Sequence, residues 1–162
     1  MVQRKIYILT GVIQSGKTTK LLNWIKNKKN KYGILTPVFD GKRYFLNVST
    51  GEKFSTEASA EEKNIIEVGK YRFSKTAFDR ATEILQEVEK KTEGLLIIDE
   101  IGPLELRKEG FYQTVKSITE NNTSLNILLV VRDGLADNVI DLFNLRDEII
   151  EIVNIENKLF DN

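Results

Sequence analysis

The segment Gly11-Val12-Ile13-Gln14-Ser15-Gly16-Lys17-Thr18 satisfies the pattern Gly-x-x-x-x-Gly-Lys-Ser/Thr at every position and follows directly on the apolar run Lys5-Ile6-Tyr7-Ile8-Leu9-Thr10. Such a run predicts a buried parallel strand, and the residues from Lys17 onward predict a helix with Leu21, Leu22 and Ile25 on its apolar face. A glycine-rich turn between a strand and a helix is a phosphate cradle. Its successive backbone N–H groups and the helix N-terminus converge on a polyphosphate, the lysine neutralises charge, and the threonine hydroxyl holds Mg²⁺. Taken alone the eight residues also fit a glycine turn with an exposed lysine, so the flanking strand and helix carry the assignment.

A second signal lies far along the chain. Gly94-Leu95-Leu96-Ile97-Ile98-Asp99-Glu100 is an apolar run too short for a membrane span, and it ends in two carboxylates. Carboxylates at the C-terminal end of a parallel strand lie on the edge where open α/β sheets bind ligands, and a bound cation there compensates their desolvation. The plain alternative is a strand with a solvated acidic end.

With a nucleoside triphosphate and Mg²⁺ as ligands, each residue acquires a role. Backbone amides from Ile13 to Thr18 surround the β-phosphate, so that Gly11, Val12, Ile13, Gln14, Ser15, Gly16, Lys17, Thr18 and Thr19 form the nucleotide-binding turn. Lys17 bridges β- and γ-oxygens, while Thr18 and Asp99 hold the metal. Glu100 orients the attacking water, and Arg132, at the end of the apolar strand Ile127-Leu128-Leu129-Val130-Val131, stabilises charge in the transition state. A purely structural pairing of Arg132 with Asp133 or Asp99 is the alternative. Arg43, Arg72 and Arg107 are weaker candidates for that cation.

Bulk composition narrows the remaining chemistry. Twenty-four basic residues balance twenty-four acidic ones, so no global positive field favours nucleic acid or an anionic membrane. The one basic run, Lys26-Asn27-Lys28-Lys29-Asn30-Lys31, falls where the first helix should end and complements its dipole. Without cysteine or histidine, disulfides, thiolate metal sites, cysteine nucleophiles and imidazole bases are excluded. The first strand begins after four residues and no apolar stretch spans a bilayer, which leads to the expectation of a cytoplasmic protein.

Between the two signals, Gly33–Phe39 and Lys42–Val48 flank Asp40-Gly41, a two-residue hairpin signal, and a third short strand follows Thr50-Gly51. These pieces predict an antiparallel meander, over about residues 33–73, inserted beside the main sheet. Pro37 marks its strand as an edge or an irregular entry. Phe78, Ala81, Leu85 and Val88 recur at helical spacing after Ser74, an N-cap, and before Gly94, a terminator. A helix around Phe111, Val115 and Ile118, a strand Leu125–Val131, a helix near Asn138–Phe143 and a strand Glu148–Val153 complete the order. Strands alternating with helices predict an α/β fold, a three-layer α/β/α arrangement with a mainly parallel sheet, formed by residues 1–162 as one domain.

The chain resembles the small P-loop nucleoside-triphosphatases first described from thermophiles. The likeness is carried by the phosphate turn with Thr18-Thr19, by Gly33-Ile34-Leu35-Thr36-Pro37, by Val68-Gly69-Lys70-Tyr71-Arg72-Phe73, and most specifically by Ile97-Ile98-Asp99-Glu100-Ile101-Gly102-Pro103-Leu104-Glu105-Leu106. The resemblance implies a RecA-like sheet and slow, Mg²⁺-dependent hydrolysis of ATP, GTP and other nucleoside triphosphates, with Lys17, Thr18, Asp99 and Glu100 as working residues. Here Ile13 and Gln14 stand where that family usually has Pro-Gly, and the acidic pair often found after its early-strand threonine is absent. Gly-x-x-x-Ser-Gly-Lys-Thr-Thr is also similar to the loop of the tetrameric thymidine kinases, which generally carry zinc-binding cysteines. A nucleoside or small-molecule kinase is therefore the second reading, and a nucleotide-dependent switch with little turnover the third.

Overall fold

In the computed structural model, which describes residues 3–11 and 16–154, β1 (Lys5–Thr10) runs between two parallel neighbours and delivers the chain to α1 (Lys17–Ile25). The expected boundaries of both elements hold. Gly16, at the N-cap of α1, has φ 85° and ψ 15°, a left-handed conformation that glycine adopts without steric cost. At the other end Lys31 folds back to donate from Nζ to the Ile25 carbonyl at 2.6 Å, so the basic run does cap the helix.

The chain continues through β2 (Lys31–Leu35), β3 (Val38–Phe39), β4 (Lys42–Asn47) and β5 (Lys53–Ser55). A hairpin of β6 (Ile65–Val68) and β7 (Tyr71–Ser74) follows, then α2 (Lys75–Val88) and β8 (Leu95–Ile101). After β8 come α3 (Pro103–Leu106), α4 (Tyr112–Asn121), β9 (Asn126–Val131), α5 (Ala136–Leu142) and β10 (Ile149–Asn154). Ser74 caps α2 as expected, its hydroxyl oxygen accepting from the Ala77 N–H at 3.2 Å.

The main sheet has the order β10-β1-β9-β8-β2-β4-β3, with β5 paired to β4. Its five strands β10, β1, β9, β8 and β2 are mutually parallel, and β4 adds antiparallel to β2. Alternating side chains divide the core into two layers. Ile6, Ile8, Leu96, Ile98, Ile127 and Leu129 face α2 and α4, while Leu9, Ile97, Leu128 and Val130 pack with Leu21 and Ile25 of α1. This is the expected three-layer α/β/α arrangement.

The segment read as one strand, Gly33–Phe39, is two. Its first part belongs to the parallel sheet through β8, and the chain breaks at Thr36-Pro37 before β3, because proline has no N–H to give to a ladder. The expected antiparallel meander does lie beside the parallel sheet, as β3, β4 and β5 continuing its β2 edge. β4 bonds directly to β2, and only the β6–β7 hairpin stands off the main sheet. Gly33 sits where β2 meets β8: at φ 119°, a Cβ would fall 1.8 Å from the Ile97 carbonyl oxygen. Only glycine allows that approach.

Candidate active site

Because five strands are parallel, their C-terminal ends share one edge of the sheet, and Gly11, Thr36, Glu100 and Arg132 all follow or end strands there. Residues 81 apart in sequence thus become neighbours. The expected juxtaposition of phosphate turn and acidic strand is seen in one contact: the Thr18 hydroxyl donates to Asp99 Oδ2 at 2.8 Å. Val12, Ile13, Gln14 and Ser15, assigned to the nucleotide-binding turn from sequence, lie outside the described residues. Gly11, Gly16, Lys17, Thr18 and Thr19 are described, and the last four line a single cavity with Gly16 at its edge on the helix N-terminus.

Asp99 is 1% exposed and receives a second element as well. Thr36 donates to the same Oδ2 from its backbone N–H at 3.1 Å and from its hydroxyl at 3.3 Å. Burial raises the Asp99 pKa; the hydrogen bonds from the Thr36 N–H and from Thr18 oppose that rise, the neighbouring Glu100 charge adds to it, and the Thr36 hydroxyl opposes it. Lys17 is 7% exposed, and its Nζ donates to the Gly11 carbonyl at 2.7 Å.

Glu100 occupies an irregular point in the sheet. Asp99 pairs with Val130 and Ile101 with Val131, so Glu100 is the extra residue of a bulge. A bulge re-aims one side chain out of the alternation, and this one lets the acid face the cavity while Asp99 remains buried. Arg132, on the first residue after β9, reaches Glu100 rather than Asp133 or Asp99: Nε lies 3.3 Å from Oε1. Both line the cavity. Of the weaker candidates, Arg43 lines it, Arg107 pairs with Glu109 on the surface at 3.2 Å, and Arg72 is exposed on β7 away from the lining.

Two residues near the site had received no role from sequence. Thr36 was visible as part of a strand and of a family-like stretch, but nothing local marks it as a partner of an acid 63 positions away. Glu105 is 3% exposed; its Oε2 accepts from the Gly102 N–H at 2.9 Å and its Oε1 from the Phe111 N–H at 3.2 Å, which fixes the turn after Glu100. A signal for it did exist, in Gly102-Pro103-Leu104-Glu105, the order of N-cap, proline at N1 and acid at N3. Burial raises the Glu105 pKa against the Gly102 and Phe111 hydrogen bonds, and Glu100 adds to the rise.

The donor set suits a hard divalent cation. Thr18 and Asp99 offer oxygen only, and among the described residues no group of three or more acidic, histidine or cysteine side chains forms a full protein cage. Mg²⁺ is commonly held by one or two protein oxygens with phosphates and water completing its shell, which is what this pair allows.

The Asp99 environment also makes a stability prediction. An acid whose folded pKa exceeds its unfolded value near 3.9 binds more protons in the native state over that interval, so its contribution to stability falls as pH rises through it. All three hydrogen bonds fall on one oxygen, so asparagine with its carbonyl there keeps them and removes the buried charge. Asp99→Asn is expected to raise the stability of the metal-free protein at neutral pH, because it removes the buried charge. The gain should shrink as pH is lowered toward about 4. Urea titrations at several pH values check it; a pH-independent difference would show that the Asp99 charge is not the cause.

Two solved structures share this architecture across nearly the whole chain. The crystal structure of THEP1 from the hyperthermophile Aquifex aeolicus superposes with a TM-score of 0.67 at 23% identity, covering 97% of this chain and 95% of that one. The solution structure of a human cancer-related nucleoside triphosphatase gives a TM-score of 0.70 at 22% identity, covering 98% of this chain and 92% of that one. At these identities the likeness establishes the fold. A search of curated protein sequences gave no match. The sequence model of the family described as NTPase matches residues 6–160, from the first strand past the last, and the chain accordingly belongs to that family of nucleoside-triphosphate hydrolases.

Proposed function

We propose that the chain hydrolyses ATP, GTP and related nucleoside triphosphates to the diphosphate and phosphate in a Mg²⁺-dependent reaction at the β1–α1 turn. The observation that carries this reading is the convergence of Thr18 and Thr36 on buried Asp99, which gathers oxygen donors beside the phosphate turn. Thr18 and Asp99 would hold the cation, whose charge would supply electrostatic stabilisation to the β- and γ-phosphates. Lys17 binds the bridging region of the triphosphate. Glu100 orients water for in-line attack and takes its proton, and Arg132 draws charge toward the departing diphosphate. Residues 1–162 act as one domain. With balanced charge and no helix among the described residues long and apolar enough to cross a membrane, we place it in the cytoplasm, acting on free nucleotide rather than on nucleic acid.

Phosphate release measured across ATP, GTP, CTP and UTP, with Mg²⁺ and then with excess EDTA, tests the reading. Turnover should need the metal, and Glu100→Gln should slow single-turnover hydrolysis by about 10²–10⁴-fold while leaving triphosphate binding within about threefold. Turnover unchanged by the substitution would remove Glu100 from the mechanism. Tight binding with negligible wild-type turnover would favour a nucleotide-dependent switch.

A further inference from the structure

Past Glu100 the cavity, about 610 Å³ in all, opens into an aromatic chamber that hydrolysis does not use. Its floor is Phe45, Phe78 and Phe111, with ring centroids 5.1 Å apart for Phe45–Phe78, 5.2 Å for Phe78–Phe111 and 5.8 Å for Phe45–Phe111. Its rim is Val38, Phe39 and Tyr71, which are 56%, 38% and 57% exposed. Among the described residues only one other large apolar side chain, Ile152, is comparably exposed. Three of four such side chains therefore line the same cavity. Water-facing aromatic surface gathered at the mouth of a pocket marks a ligand site.

Position decides which ligand. The chamber wall begins at Pro37, immediately after Thr36, and Thr36 bonds to Asp99. Thr18 and Asp99 mark the β,γ end of a bound triphosphate, so the chamber stands beyond the γ-phosphate. The base of that nucleotide leaves from the opposite, α-phosphate end. Consistent with this, the apolar part of the described lining, from Pro37 to Phe73 with Phe78, Leu104 and Phe111, comes from the meander, the β6–β7 hairpin and the segments beside β8, while Gly16–Thr19 and Arg132 line the phosphate end and no described lining residue belongs to β10 or α5.

We propose that this chamber binds a nucleoside, whose primary hydroxyl then competes with water as phosphate acceptor. Tyr71 already stacks on Phe73 at an interplanar angle of 26° with centroids 6.1 Å apart, and a flat base extends that stack on Tyr71, taking the place of the Lys70 ammonium that lies 5.5 Å from the ring centroid. Arg43 and Thr56 supply polar groups to a lining otherwise dominated by rings. In the transfer, the acceptor oxygen bonds to the γ-phosphorus as the bond to the β,γ-bridging oxygen breaks. That electron pair leaves with the nucleoside diphosphate, and the hydroxyl proton passes to Glu100 and then to water. This inference rests on the triphosphate site proposed above.

The full chain, given Mg²⁺, γ-labelled ATP and in turn adenosine, guanosine, cytidine, uridine or thymidine, is assayed by chromatography for labelled phosphate and labelled nucleoside monophosphate. At least one nucleoside should yield monophosphate. Phe39→Ala and Tyr71→Ala should each lower that yield by about tenfold or more, with phosphate release in the absence of nucleoside within about twofold of wild type. Tyr71→Phe should retain transfer. Both rim side chains are exposed, and melting curves verify that the variants fold. Monophosphate from none of the five, with basal phosphate release intact, overturns the proposal. So does a roughly tenfold rise in the KM for ATP itself on Tyr71→Ala, which would make the chamber the base site of the triphosphate. Absence of basal phosphate release would instead sink the triphosphate site and this inference with it.

Discussion

Lys17→Ala is expected to lower kcat/KM for every nucleoside triphosphate by about 10²–10³-fold, the size seen when one preorganised donor to developing charge is removed. The side chain is nearly buried, and its Nζ is already aimed across the phosphate turn at the Gly11 carbonyl, 2.7 Å away. A fixed cation of this kind costs little reorganisation when a triphosphate arrives, and its attraction strengthens as charge moves toward the β,γ-bridging oxygen. Both kcat and KM should therefore suffer, whereas stability should move little. Steady-state kinetics beside a thermal melt check it: kcat/KM within threefold of wild type, in a folded variant, would show that the triphosphate does not dock on this turn.

Arg132→Ala should cost about 10³-fold in kcat, the lower end of what arginine contacts to a transferring phosphoryl group contribute. The lower end is chosen because the side chain is 41% exposed, and water screens a charge that is not enclosed. Its bond to Glu100 makes two actions separable: a direct contact to phosphate, and positioning of the acid. A double-mutant cycle with Glu100→Gln distinguishes them. If Arg132 acts through Glu100 alone, Arg132→Ala has no further effect in the Gln background; a direct phosphate contact costs a further tenfold or more. Arg132→Lys should recover little, since one ammonium does not reproduce a guanidinium that serves two partners.

How far these residues were legible in the chain differed from one to the next. Glycine spacing and the lysine-threonine pair announced the left-handed residue and helix start at Gly16, because these depend on a few adjacent residues. The apolar run before Asp99 likewise announced a buried strand, and the strand after α4 announced a neighbour that Arg132 immediately follows. Arg132 was less legible in its partner: its neighbour Asp133 and the strand acid Asp99 both offered a carboxylate, but the β8 bulge turns Glu100 toward it. The stretch 33–39 reads as one strand because its hydrophobic continuity masks the break at Pro37, and no local signal marks the β6–β7 hairpin around Gly69 as an element of its own.

From the residues alone came the helix start at Gly16, the acidic strand, the order of the parallel strands and the longer helices, and the class of ligand. These follow from steric and hydrogen-bonding preferences that act over a few positions. What folding in three dimensions decided was the company each residue keeps: Thr36 on Asp99, Glu105 bracing the turn at Gly102, and rings from Phe39 to Phe111 gathered around one chamber. Such contacts depend on which strands pair and how the two core layers fill. Those choices minimise the exposed apolar surface of the whole chain at once, and no short stretch of sequence carries enough of that balance to reveal them.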